Sequence, residues 1–170
     1  IENIHRSAST TFGFRQNSNF KYLTGFQESD ATLVILTNHP EWKSVLFINP
    51  RDPFMEMWNG KRLGVERAQD ILEVDKVFSN EDFDKEITKL LENHRKIYVD
   101  LFADFYRDIP WQQKIMGVIE GLHARKKTKM HIPNSVSHLG PILGKLRLTK
   151  DDSEIRAMKK AAEINTMAHK

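Results

Sequence analysis

The clearest apolar run in the chain is Thr32-Leu33-Val34-Ile35-Leu36-Thr37, whose unbroken, β-branched character predicts a strand buried on both faces. Asn38, His39 and Pro40 supply a turn, after which Ser44-Val45-Leu46-Phe47-Ile48 reads as its hairpin partner. Asn49-Pro50-Arg51-Asp52-Pro53 is too rich in proline to extend that strand and reads as a loop. Met55 to Trp58 fits a short helix closed at Asn59-Gly60, Gly64 to Leu72 a second helix, and Val74 to Phe78 a short strand. Ser79 is placed to cap a helix, with Glu81 and Asp82 in the first turn. Phe83, Ile87, Leu90 and Leu91 then recur at helical spacing, which predicts an amphipathic helix packed on a sheet.

Lys96 to Leu101 predicts a further strand, and Pro110 suits the first turn of a helix. Trp111, Ile115, Val118, Ile119 and Leu122 share one face of that helix, which the basic run His123 to Lys129 ends. Pro141 starts a short helix carrying Ile142, Leu143 and Leu146. Asp151, Asp152 and Ser153 cap a last helix with Ile155, Met158, Ala162 and Ile164 on its apolar side. Strands alternating with helices predict an α/β domain.

Composition narrows the function. The 170 residues carry 26 Lys and Arg against 23 Asp and Glu, with 39% hydrophobic residues, the profile of an ordinary globular domain. A chain of this length buries roughly 70% of its unfolded surface, so it needs no staple to fold. The absence of cysteine removes disulfides, thiol nucleophiles, cysteine zinc sites and iron–sulfur clusters. No apolar run approaches the roughly 20 residues that span a bilayer, and no membrane partner is expected. The opening residues lack the order of a signal peptide. The chain opens on what reads as the middle of a strand and closes inside a helical run without a stop signal. That pattern is read as a piece of a longer polypeptide.

Catalytic constellations are sparse. His5, His39, His94, His123, His131, His138 and His169 form no HExxH, and none pairs with a carboxylate at metal-ligand spacing. Asp100 and Asp104 follow a strand, but Phe102, Ala103 and Phe105 beside them supply no third ligand, so a solvated strand end is expected. No serine sits in a nucleophile elbow, and the glycines form no GxGxxG or P-loop. Arg125 to Lys129 has the charge to meet phosphates, but no aromatic residue interleaves with it. A helix end with cations complementing the macrodipole accounts for it, and a nucleic-acid partner is not expected.

Two segments ask for more. Phe14-Arg15-Gln16-Asn17-Ser18-Asn19-Phe20-Lys21-Tyr22-Leu23-Thr24-Gly25-Phe26-Gln27-Glu28 mixes aromatics with a dense polar set. Its aromatics suit a half-buried helix start, and Arg15, Gln16 and Asn17 are able to cap backbone groups or to bridge elements. Arg51-Asp52-Pro53-Phe54-Met55-Glu56-Met57-Trp58-Asn59-Gly60-Lys61-Arg62-Leu63-Gly64 places a tryptophan beside a glycine and two cations. Such a residue is either core or an interface anchor.

Together these segments resemble the N-terminal domain of aminopeptidase P, in the creatinase/prolidase superfamily. Phe14 to Glu28 is similar to the pattern Y-R-Q-N/D-S-D/N-F-x-Y-L-T-G-F-x-E, with Phe14 replacing the tyrosine and Ser29 standing where a proline is usual. Arg51-Asp52 through Trp58, Gly60, Arg62 and Gly64 resembles the R-D…W-x-G-x-R-x-G element. Arg147, Lys150, Glu154-Ile155 and Met158 to Ala162 are similar to the entry helix R-x-x-K-S-x-x-E-I-x-x-(L/M)-x-x-A.

The resemblance implies an α/β fold, a mixed sheet flanked by helices with ribonuclease-H-like topology, followed by a pita-bread catalytic domain. The division expected is residues 1–148 for the first domain and 149–170 for the start of a linker helix. The implied parent enzyme removes an N-terminal residue preceding proline, using two divalent metal ions, usually manganese, on two Asp, one His and two Glu. The resemblance implies that those ions would supply a nucleophilic hydroxide and polarise the scissile carbonyl. None of those ligands is expected in these 170 residues, so no catalytic residue, metal or cofactor is assigned here. The resemblance further implies a dimer or tetramer, a proline-containing peptide substrate, closure of the cleft by this domain, and a cytoplasmic or, in a eukaryote, mitochondrial location. Trp58 matches a tryptophan that reaches a neighbouring subunit's substrate pocket, with Arg62 fixing the turn or the subunit contact. Arg15, Gln16, Asn17, Tyr22, Gly25, Arg147, Lys150 and Glu154 are assigned to structure. The alternative from another class is a peptide-binding module of a catalytically inactive relative.

Overall fold

The computed structural model describes residues 5–7, 10–11, 13–100, 109–125 and 131–169. In chain order these form β1 (His5–Ser7), β2 (Thr10–Thr11), α1 (Ser18–Thr24), β3 (Thr32–Ile35), β4 (Ser44–Ile48), α2 (Pro53–Asn59), α3 (Val65–Ile71) and β5 (Lys76–Ser79). A short 3-10 turn then leads into α4 (Phe83–Leu91), β6 (Lys96–Val99), α5 (Ile109–Ala124), β7 (Ser135–His138), α6 (Gly140–Leu148) and α7 (Asp152–Ala168). The fold is a mixed α/β arrangement: β3 and β4 pair antiparallel, β4 and β5 parallel, and β6 and β7 parallel.

Strand β4 is the centre of the molecule. Val45, Leu46, Phe47 and Ile48 are each 0% exposed. Because successive side chains of a strand point to opposite faces, these four residues feed two separate cores. Val45 and Phe47 pack with Ile87, Leu90 and Leu91 of α4 and Ile115, Ile119 and Leu122 of α5. Leu46 and Ile48 pack with Phe26, with Ala68 of α3 and with Val77. Phe47 meets the Phe83 ring edge-on at 4.9 Å and stacks with Phe78 at 5.7 Å, geometries that aromatic quadrupoles favour.

The expected two-sided burial therefore belongs to a different strand from the one the apolar run suggested. Ile35 in β3 is 64% exposed, and the strand ends there rather than at Thr37. Among the described strands β3 pairs with β4 alone, and an edge position leaves apolar side chains uncovered. The hairpin pairing itself is as expected, with Leu33 opposite Leu46 and Val34 opposite Val45. Strand β7 had no counterpart in the apolar pattern. Its sequence Ser-Val-Ser-His lacks apolar alternation, and it is held by backbone pairing along β6. Ser79 caps the 3-10 turn rather than α4 directly, by accepting from the Glu81 N–H.

Helix α7 starts from a complete capping box. The Asp151 carboxylate accepts from the Glu154 N–H at 2.8 Å, and the Glu154 carboxylate accepts from the Asp151 N–H at 2.9 Å. No residue of α7 is buried, and Met158 and Ile164 are more than half exposed.

Candidate functional site

The two segments that stand out in the sequence are joined in space through one carboxylate residue. Asn17 caps α1, its side chain accepting from the N–H groups of Asn19 and Phe20 at 2.9 and 3.1 Å. Gly25 ends α1 in the left-handed conformation, φ 67°, where its N–H donates to the Lys21 carbonyl at 2.8 Å. Gln16 donates from its amide to the Glu28 carbonyl at 2.9 Å, while its own oxygen accepts from the Asn17 N–H. The Glu28 side chain reaches onward and accepts from the Leu63 N–H at 2.8 Å. Arg15 is exposed, and no described residue hydrogen-bonds it.

The second segment is built around Glu56, whose side chain is only 7% exposed. Asp52 caps α2 by accepting from the Phe54 and Met55 N–H groups, and Pro53 occupies the first turn. Arg51 forms a two-pronged contact with Glu56, donating from Nε at 3.0 Å and from Nη2 at 2.8 Å. The same carboxylate accepts from the Arg62 N–H at 3.3 Å, and Arg62 Nη1 donates to the Pro50 carbonyl at 3.2 Å. The turn from Gly60 to Gly64 is thus tied through Arg62 both to α2 at Glu56 and to the loop before it at Pro50. Pro50, Asp52, Arg62, Asn80 and Glu81 line part of an open pocket of about 570 Å³ beside it.

This frame presents an apolar surface. Trp58 is 77% exposed, with Met57 at 73% and Phe54 at 67% on the same helix. Of the two expectations for Trp58, core or interface anchor, the domain core is excluded. Large apolar side chains clustered on a rigid, capped helix are the composition of a contact surface.

The hydrogen bonds from Arg51, and secondarily that from the Arg62 N–H, hold the Glu56 carboxyl below the ordinary glutamate value of 4.5 against the opposing effect of burial. A carboxyl depressed on folding contributes stability that is complete above the unfolded value and is lost as pH falls through the folded one. Asp75, held down by the N–H groups of Lys43 and Ser44, and Asp151 act in the same direction. Melting temperature is therefore expected to stay level above about pH 5 and to fall as pH drops below about 4. Glu56→Gln is expected to remove part of that acid limb, and an unchanged limb would contradict the assignment.

A third cluster joins Asn19 and Tyr22 of the first segment and Arg147 and Lys150 of the entry-helix motif to Asp100 and His138, which belong to neither. Asp100 accepts from the Asn19 amide at 3.0 Å, and its other oxygen lies 3.8 Å from His138 Nδ1. Arg147 donates to the Asn19 side-chain oxygen and lies over the Tyr22 ring, 5.3 Å from its centroid. Lys150 donates to the carbonyls of Arg147 and Leu148 at the end of α6. Asp100, expected as a solvated strand end, is instead 23% exposed and engaged. Asp104 and the basic residues Lys126, Lys127 and Lys129 lie outside the described residues. Among the described residues no three His, Asp or Glu side chains converge on a point that could hold a metal ion.

The profile of the aminopeptidase P N-terminal domain matches residues 2–98, more than half of the chain. The chain belongs to this family. It is 35% identical over 164 residues to a Xaa-Pro aminopeptidase of Haemophilus influenzae, covering 96% of this chain and 35% of that protein. Identity to the Xaa-Pro aminopeptidase of Escherichia coli is 31% over 167 residues, 98% of this chain and 37% of the relative. Among solved structures, Pseudomonas aeruginosa aminopeptidase PepP superposes with a TM-score of 0.91 at 29% identity, over 99% of this chain and 37% of that one. E. coli aminopeptidase P gives 0.88 at 30% identity, over 99% and 38%. The chain thus spans a little over one third of the length of these relatives. As an aminopeptidase P N-terminal domain, it carries Gln16, Asn17, Glu28, Glu56 and Arg62 within the matched region and Arg147, Lys150 and Glu154 beyond it.

Proposed function

We propose that this chain serves as the non-catalytic N-terminal domain of a Xaa-Pro aminopeptidase, a hydrolase releasing an N-terminal residue that precedes proline. In this reading it contributes to oligomer assembly and to closing the substrate cleft, and residues 149–170 begin the helix that leads into the catalytic domain. The observation that carries the reading is Trp58, exposed on a helix whose start, end and following turn are all pinned by hydrogen bonds. An aromatic side chain held away from its own core on a capped helix offers an apolar wall to a proline-containing peptide, with little backbone freedom left to lose on binding. Arg62 holds the turn behind it.

The pair of divalent metal ions, manganese in this reading, belongs to polypeptide outside these residues. The described residues offer no ligand set for it, and no step is derived through it.

The test is Trp58→Ala in the full-length polypeptide, assayed on Xaa-Pro peptides. About a tenfold rise in KM is expected, the size of a modest contact-surface residue. Unchanged KM, kcat and assembly would remove the role of Trp58.

A further inference from the structure

The cluster at Asn19 is a chain of five side chains running from one end of the domain's sequence to the other: Tyr22, Arg147, Asn19, Asp100 and His138. Asn19 sits in α1, Asp100 directly after β6, His138 at the end of β7, and Arg147 in the last turn of α6. The orientation of the Asn19 amide follows from its neighbours. A guanidinium only donates and a carboxylate only accepts, so the amide oxygen must face Arg147 and the amide nitrogen must face Asp100. His138 is itself seated tightly, since its ring lies across Gly140, where an added Cβ would come within 2.1 Å of Nε2.

We propose that Asn19 is an amide adapter in a polar latch, joining the Arg147 cation to the Asp100 anion and thereby fixing the direction in which α7 leaves the domain. Three observations converge on that role. Arg147 lies four residues before Asp151, the N-cap of α7, and Lys150 ties its ammonium to the Arg147 and Leu148 carbonyls across the intervening turn. Helix α7 buries none of its own residues, so its packing on the domain supplies little to hold it. The two charged groups of the latch meet through a neutral residue rather than directly, which makes the polarity of position 19 decisive. The proposal rests on the fold and stands or falls independently of the peptidase reading.

The charge logic supplies the test. Asn19→Asp keeps an acceptor for Arg147 but turns a second carboxylate oxygen toward Asp100, replacing a hydrogen bond with like-charge repulsion. Adding Asp100→Asn reverses the latch. The carboxylate introduced at position 19 then accepts from Arg147 on one side, and the amide introduced at position 100 donates to it on the other. At pH 8, N19D is expected to speed amide exchange in α6 at least tenfold, about 1.4 kcal/mol in opening free energy. N19D/D100N is expected to return it to within about twofold of the original chain. The chain has no cysteine, so E92C and K159C in exposed positions provide a clean spin-label pair between α4's end and α7. Their distance distribution should be narrow in the original chain, broad in N19D and narrow again in the double variant. The proposal is overturned if N19D changes neither readout, or if the double variant is no better than N19D. Exchange that accelerates equally in β4 and α6 would also overturn it, because that pattern is general destabilisation.

Discussion

Phe47→Ala is expected to cost about 3–5 kcal/mol, a large share of the roughly 5–15 kcal/mol that holds a domain folded. The side chain is 0% exposed and is the largest fully buried one among the described residues. Its ring contacts Phe78 and Phe83, so truncation removes two aromatic pairs along with the transfer free energy of the ring. Collapse around the cavity is limited, because Phe47 lies on the central strand, paired on both sides, with α4 and α5 packed over that face. Chemical denaturation followed by tryptophan fluorescence measures the loss. A change under about 1.5 kcal/mol would mean that the helices close the gap and that the core is softer than its packing implies.

The second large effect is expected at Gly64. Its backbone sits at φ 74° and ψ 162°, a region that essentially only glycine occupies. An added Cβ would also stand 2.5 Å from Cγ of Arg51. Gly64→Ala is therefore expected to cost about 2–3 kcal/mol, the upper part of the range for such strain. The damage should be directed. Arg51 must move to admit the methyl group, and moving it breaks the two-pronged contact with Glu56 that the Arg62 N–H shares. Loss of that frame should loosen α2 and Trp58 before the rest of the domain. Amide exchange would reveal this as early opening at residues 53–63. By contrast Gly60, also at positive φ, has nothing within 4 Å of its added Cβ, so only backbone strain opposes substitution there.

Much of the fold is legible in the sequence because its signals are local. The period of Phe83, Ile87, Leu90 and Leu91 depends on the geometry of a single helix, and all four side chains are buried. Proline and glycine at the ends of α2, and the Asp151-to-Glu154 spacing of a capping box, act within one turn of chain. The family pattern is legible for the same reason, as each of its motifs occupies one short segment.

Other features depend on the neighbours of a strand or on partners far along the chain. The runs 32–37 and 44–48 are both apolar, and only the pairing makes the second central and the first, among the described strands, an edge with Ile35 exposed. Strand β7 has no side-chain periodicity to betray it, since backbone hydrogen bonds along β6 hold it in place. Glu28 closes one family-like segment and Glu56 lies inside another, yet neither pattern shows that Glu28 accepts from the Leu63 N–H, 35 residues away, or that Glu56 accepts from both Arg51 and the Arg62 N–H.

The sequence by itself determined the helices, the acidic cap at Asp151 and the family, because short-range sterics and hydrogen bonding act on neighbouring residues whatever the rest of the chain does. Only the tertiary structure decided that Trp58 faces outward, and that Asn19 meets both Arg147, 128 residues away, and Asp100, 81 residues away. Exposure and polar partnership depend on what the completed packing leaves uncovered or brings into hydrogen-bond reach, and no local pattern encodes either.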